Sequence, residues 1–294
     1  MRIISKRNKR RKDKEVEMSI INEGWFNDIE NEQYHKGPGV SSTGLRVLAK
    51  SPGHYKAYLD EGFPETEALL ESQAFHTYLL EPEEYSKKYN VISGVRSKKM
   101  KEEAAEEGIK LITDKQMKNI TNWYDAIAEH EDAFKLIASR GNIERSGYWI
   151  DGESNVLCKI RPDKLIPGIR TIVDLKTMST AQRDEVNLEI NFNRAIANYK
   201  YHWQAAYYLM GTSVLEKTEY INFIWIVVEK EAPHQVCVKI ADESMLYEGE
   251  HNIKMLIHRY GECSHAGVWP KPLYPGIRVA SLPEWYYQRE VIYG

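Results

Sequence analysis

Cysteine is scarce: Cys158, Cys237 and Cys263 are the three in 294 residues, far apart and in no Cys-x-x-Cys pair. That excludes a disulfide scaffold and a zinc–cysteine site, and it fits a reducing cytoplasm. Long apolar runs are missing too. The longest, Phe223 to Val228, is strand-sized, far below the roughly 18 residues that a membrane span needs, so no membrane partner is expected. The basic N-terminus has no apolar stretch behind it, so it does not read as a secretory signal. No internal repeat occurs, and no low-complexity segment beyond the first residues. What is present excludes wholesale disorder: 42% hydrophobic, 28% charged and 11% aromatic residues supply a large core.

The net charge of −3 conceals an asymmetry. Residues 1–14 hold eight Lys or Arg against Asp13 and carry +7, which leaves −10 for the other 280. A body that acidic does not bind nucleic acid through its overall field, so any such binding comes from local patches. For the tail two readings stand open, a phosphate-seeking arm or a solvated leader.

Along the chain, residues 1–20 read as a basic, disordered tail and residues 21–294 as one α/β domain. The domain divides into a helical part over about 40–140, a sheet with helices over about 143–262, and a C-terminal extension over 263–294. Ser41 or Ser42 can cap a short helix, and a second runs from His54 to Leu59. Thr66 to Leu80 is a strong helix stopped by Pro82, and Ser97 to Glu107 is an exposed or mobile segment. Asp114 is expected to cap a helix reaching Ser139. Ser146–Ile150, Val156–Arg161 and Thr171–Thr177 read as strands. A helix from Arg194 to Met210, ended by Gly211, then precedes strands at Tyr220–Val228 and Gln235–Ile240 and a helix from Glu243 to about Tyr260.

The chemistry concentrates in Arg161-Pro162-Asp163, followed after ten residues by Asp174-Leu175-Lys176. On a strand Asp174 and Lys176 share one face, with Val173 and Leu175 on the other. With Ile166–Ile169 as the turn of an antiparallel hairpin, Asp163 falls opposite Ile172 and is the diagonal neighbour of Asp174, roughly 7–8 Å away at Cβ. Two carboxylates that close repel unless something compensates, and a hard cation such as Mg²⁺ does so well. A solvated strand face with one cross-strand charge pair would carry the same letters. His76 lies mid-helix, where a satisfied core histidine is the commoner role than a ligand. Tyr201, Gln204 and Tyr208 share one helical face and Trp203, Ala206, Tyr207 and Met210 another. The second reads as core-facing, the first as amphipathic surface or a contact to a nucleic-acid backbone.

In that order, His76, Asp163, Asp174-Leu175-Lys176 and Gln204-x-x-x-Tyr208 resemble the RecB-like branch of the PD-(D/E)xK nucleases. Further segments bring the chain closer to the RecE-type exonuclease domain (exodeoxyribonuclease VIII-like). They are Tyr34-His35 with Gly37-Pro38-Gly39-Val40-Ser41, Ser51-Pro52-Gly53-His54-Tyr55, Ala74-Phe75-His76 leading to Leu80-Glu81-Pro82-Glu83, Cys158 to Lys164, Tyr201 to Tyr208, and Ser281-Leu282-Pro283-Glu284-Trp285. The resemblance spans about residues 34–290 and implies a restriction-endonuclease-like core, a central mixed sheet flanked by helices with a helical N-terminal portion. It implies catalytic His76, Asp163, Asp174 and Lys176. Mg²⁺, with Mn²⁺ substituting, would be held by His76, Asp163, Asp174 and the Leu175 backbone carbonyl. Tyr201, Gln204 and Tyr208 would bind DNA, and Glu144 matches an acid seen in many RecB-like nucleases.

The implied activity is digestion of linear double-stranded DNA, 5′ to 3′, leaving 3′ single strands for a single-strand annealing protein in phage-type recombination. The implied setting is a toroidal homo-oligomer in the cytoplasm of a bacterial or phage-infected cell. Other PD-(D/E)xK activities, an endonuclease or a single-strand nuclease, or a non-catalytic recombination scaffold, are the alternatives. The segment Glu71-Ser72-Gln73 departs from the resemblance, since a glycine is common there.

Overall fold

A computed structural model describes residues 22–27, 29–62, 64–180 and 187–287; the basic tail at 1–20 and the last seven residues of the C-terminal extension lie outside the described residues. The chain opens with β1 (Gly24–Phe26) and continues through α1 (Asn31–Lys36), α2 (Ser42–Leu48), α3 (Pro52–Glu61), α4 (Glu67–Leu80) and α5 (Pro82–Lys88). A small parallel pair, β2 (Tyr89–Ile92) and β3 (Lys110–Thr113), brackets α6 (Lys98–Glu106). Then come α7 (Asp114–Glu129), α8 (Glu131–Ala138), β4 (Asn142–Ile143), β5 (Ser146–Asp151), β6 (Val156–Ile160), β7 (Lys164–Ile166) and β8 (Thr171–Met178). The rest is α9 (Leu188–Tyr199), α10 (Tyr201–Glu216), β9 (Asn222–Glu229), β10 (Val236–Ile240), α11 (Glu243–Ala266) and α12 (Glu284–Tyr287).

The main sheet has the order β10-β9-β8-β7-β4, with β8 and β9 parallel and the other neighbours antiparallel; β1-β5-β6 form a second sheet. Side chains alternate along β8, and the two faces bury different cores. Ile172, Met178, Trp225 and Val227 pack toward α9, α10 and α11 with Phe192, Trp203 and Tyr207. Val173, Leu175, Ile226 and Val228 pack toward α4 and α7 with Phe75, Ile120 and Trp123.

Several boundaries differ from the sequence reading for local reasons. Thr113, not Asp114, caps α7, because Thr113 and Gln116 exchange side-chain and backbone hydrogen bonds in a capping box. The expected single helix to Ser139 breaks at His130, whose ring accepts from Ala133 N and starts α8. The expected helix Arg194–Met210 is two helices, since Lys200 adopts a left-handed φ of 58° between them. Pro167–Ile169 forms a 3₁₀ turn closed by Arg170 at φ 48°, which lengthens the hairpin. The register therefore pairs Lys164 with Val173 and Leu165 with Ile172, so Asp163 comes level with Asp174 rather than opposite Ile172.

Segments separated in sequence meet in pairs. Val40 bridges to Cys158, with Val40 N donating to Leu157 O and Lys159 N to Val40 O, each at 2.9 Å. The buried Lys159 ammonium donates to the carbonyls of Tyr34 and Gly37, both at 2.7 Å, and burial pushes its pKa down to about 8. Gly53 N donates to Pro270 O at 2.9 Å while Trp269 packs on Tyr55.

Gly211 does not end α10, which continues to Glu216. Its role is proximity: a Cβ there would lie 2.5 Å from the ring of Trp149, itself fully buried. Gly211→Ala is expected to destabilise the protein by about 1–3 kcal/mol, although alanine is the better helix former. Urea unfolding measures it, and an unchanged or raised midpoint would show that Trp149 repacks freely.

Candidate active site

β7 is three residues long and pairs with β8 only as far as Lys164↔Val173. Beyond that point the edge of β8 has no strand beside it, and the Asp163 side chain takes the next ladder position: its Oδ2 accepts from Leu175 N at 2.7 Å. The N–H and C=O of one strand residue point the same way, so the Leu175 carbonyl faces this gap as well.

His76 enters the gap from α4. Its Nδ1 lies 3.5 Å from Asp163 Oδ2. Burial, seconded by the Lys176 charge, pushes the His76 pKa down to about 4. The ring is therefore neutral near pH 7 and keeps a nitrogen lone pair for a ligand. Glu144 comes from the link between β4 and β5, where it adopts φ 50° and donates its N–H to Asp163 O at 3.2 Å. One donor atom each of His76, Glu144 and Asp163 lies within 4.8 Å of the others. Burial pushes both carboxyls up, and Asp163 adds to the rise at Glu144. Oxygen and nitrogen donors converging under mutual repulsion are what a divalent cation stabilises, so the donor set fits one.

Asp174 and Lys176 stand beside this cluster on the α9–α10 face of β8. Asp174 is 2% exposed, and burial pushes its pKa up to about 6 against the opposing pull of Lys176. The Lys176 ammonium is paired with Asp174 Oδ2. Burial lowers the Lys176 pKa, but Asp174 and then Asp163 outweigh it and the amine is held above its ordinary value. Gln204 Nε2 donates to Asp174 Oδ1 at 2.9 Å. Lys176 Nζ sits 5.0 Å from the centre of the Tyr201 ring. Tyr208 is buried against Phe223. The Tyr201, Gln204 and Tyr208 stripe thus turns inward onto the acid–lysine pair, and Tyr208 offers no exposed face to a nucleic-acid backbone.

The structure therefore brings His76, Asp163 and Leu175 together with Glu144, and sets Asp174 and Lys176 next to them as an ion pair. The sequence does not single out one further contact. Ser72 Oγ and Thr177 Oγ1 are 2.9 Å apart, joining α4 to β8. The signal lay in periodicity: Ser72 is one turn before His76, and Thr177 faces the side of β8 opposite to Lys176.

Residues 41–273 match the family described as a PDDEXK-like domain of unknown function (DUF3799). Among solved structures, the chain is similar to a protein from Eubacterium rectale provisionally designated an exonuclease, with 17% identity, a TM-score of 0.54, and coverage of 84% of this chain and 94% of that one. No curated protein matches the chain. The fold is accordingly a PD-(D/E)xK core, a mixed sheet flanked by helices with a helical N-terminal portion. Among the described residues no helix is long and apolar enough to cross a membrane.

The titrations set a pH test. Asp174, with its folded pKa raised to about 6, contributes stability that is present at low pH and lost as pH rises through 6. His76, depressed to about 4, runs the other way and loses stability as pH falls from about 6.5. In the metal-free protein the two oppose each other. An added divalent cation must displace protons from the raised carboxyls, so Mg²⁺ or Mn²⁺ should raise Tm more at pH 7.5 than at pH 5.5. Thermal shifts equal at the two pH values would count against these ligands.

Proposed function

The chain belongs to the PDDEXK-like family, and from that premise we propose that it is a metal-dependent nuclease that digests linear double-stranded DNA from its ends. The observation that carries this reading is the part-buried His76–Glu144–Asp163 cluster beside the Asp174–Lys176 pair. The order of motifs is what favours the RecE-type branch within the superfamily, and the Eubacterium rectale protein of like fold is itself designated an exonuclease. On the same resemblance the polarity is 5′ to 3′ and the product a 3′ single strand passed to an annealing protein. The enzyme then works as a toroidal homo-oligomer in the cytoplasm of a bacterial or phage-infected cell. Mg²⁺ is the proposed cofactor, with Mn²⁺ able to substitute.

His76, Glu144 and Asp163 would hold the cation, with the Leu175 carbonyl and Asp174 adjoining. Bound there, it would polarise a phosphoryl oxygen and lower the pKa of a coordinated water. The chain's own residues do the rest. Neutral His76 donates a nitrogen without adding charge. Asp163 is fixed by the Leu175 N–H, so its free oxygen is preoriented rather than mobile. Lys176 is held protonated by its neighbours and is therefore a cation and hydrogen-bond donor, not a base. Its ammonium offsets negative charge that grows on the phosphate in the transition state. Gln204 restrains Asp174, which in turn restrains Lys176.

Lys176→Ala is expected to lower kcat by about 10²–10³ with cation affinity nearly unchanged, whereas His76→Ala should weaken cation binding in calorimetry. Asp174→Ala should abolish digestion while the protein stays folded. End-labelled linear duplex compared with closed circular DNA, with and without Mg²⁺, checks the activity. Undiminished digestion in excess EDTA would refute the metal dependence, and equal cutting of closed circles would refute the requirement for ends.

A further inference from the structure

Beside Lys176, on the α9–α10 side of β8, a cleft of about 270 Å³ opens between the strand and the junction of the two helices. Its lining includes Lys176, Thr177, Ser179, Phe192, Tyr199 and Tyr201. Tyr199 is the last residue of α9 and Tyr201 the first of α10. The left-handed Lys200 between them, at φ 58° and ψ 42°, is what brings both rings to one place. A non-glycine residue does not adopt that conformation without cost. Their ring centres are 5.6 Å apart and tilted by 35°. Tyr201 is backed by Phe192 at 6.1 Å and carries the Lys176 ammonium over its face. Tyr199 lies in front, 52% exposed, and Arg46 Nη1 donates to its carbonyl at 2.8 Å.

Charge divides across this point. The His76–Glu144–Asp163 cluster lies toward the β7 side, while Arg46 stands at the tyrosines with its Nη1 on the Tyr199 carbonyl. On the nuclease reading the scissile phosphate lies between the cation of that cluster and Lys176, and Arg46 beside Tyr199 favours the next phosphate, so a strand passing Lys176 runs over the tyrosines. At about 270 Å³ the cleft falls just below the roughly 300 Å³ at which ligand pockets usually start, room for one nucleotide unit rather than several. An exposed aromatic ring recognises a base through its π-face, and every base has one. Inside a duplex both faces of a base are covered by its stacked neighbours, so a ring that stands beside the backbone at Lys176 is met by a base that has left its pair and turned out of the stack.

We propose that Tyr199, supported by Tyr201, is a stacking platform for the unpaired base of the terminal nucleotide when that strand's phosphate is held at Lys176. The inference rests on the nuclease reading and adds what holds the strand end. It makes Tyr199 a substrate-binding residue that is indifferent to sequence and sensitive to whether a base is present.

The test uses two linear duplexes that differ only at the terminal nucleotide of the strand the wild-type enzyme attacks, one carrying a base and the other abasic. For the wild type, the abasic end should raise KM roughly tenfold, as expected for the loss of one stacked base, and leave kcat within about twofold. Tyr199→Ala should show the raised KM on the intact duplex and no further rise on the abasic one. Tyr199→Phe should behave as the wild type, because the ring and not the hydroxyl does the stacking. A Tyr199→Ala variant with wild-type KM on intact duplex, or with the full abasic penalty, overturns the platform and leaves the nuclease reading standing. A wild type that cleaves neither duplex overturns the nuclease reading and the platform with it.

Discussion

Where β7 ends, β8 is left with the Leu175 N–H on an edge that no longer has a strand beside it, and the Asp163 carboxylate takes that donor at 2.7 Å. A buried backbone donor must find a partner, so this contact satisfies a requirement of the sheet as much as of the site. It also fixes the acid within reach of His76 and Glu144. A longer β7 would fill the ladder with main chain and close the gap in which the donors gather. The shortness of one strand is thus the condition for having an active site on this edge.

Charge is then shared out so that a part-buried site can persist. Asp174 is paired with Lys176 and bonded by Gln204, which deals with one acid inside the protein. Glu144 and Asp163 are left facing each other beside a neutral imidazole; burial raises the protonation of both, and the Asp163 charge adds to the rise at Glu144. Division of labour follows from neighbours rather than residue type: one carboxylate serves the lysine, and two are kept for a ligand. The cost of holding them close is met by the apolar layers on both sides of the sheet, whose burial is indifferent to the site's protonation.

Much of this was legible in the chain. Period-two alternation around Asp174 and Lys176 marked the central strand and the face each side chain takes, and the helices carrying His76 and Gln204 were marked by their apolar spacing. The hairpin register was not. It depended on Arg170 taking a left-handed conformation after a 3₁₀ turn, which moves the pairing by two residues with no Gly at position 170 to announce it. Lys200 broke an apparently continuous helix in the same way. Glu144 drew little weight from sequence because it lies between two short strands, where no periodicity indicates its direction. Gly211 looked like a terminator, whereas the reason for it is the distant Trp149 ring. Propensity speaks for a residue's own backbone, and these features are set by something else packing against it or by a conformation against type.

The two separate hydrophobic cores have a dynamic consequence. His76 belongs to the layer built on α4 and α7, while Gln204, Tyr201 and Tyr199 belong to the layer built on α9 and α10. Proteins open in cooperative units smaller than the whole, and a layer of helices on one sheet face is a natural unit of that kind. A fluctuation that lifts α4 would take away the imidazole yet leave the tyrosines and the lysine in place against β8. On the proposed function, grip on a strand would then outlast competence to cut it, and the molecule would pause on its substrate instead of falling off each time one side breathes.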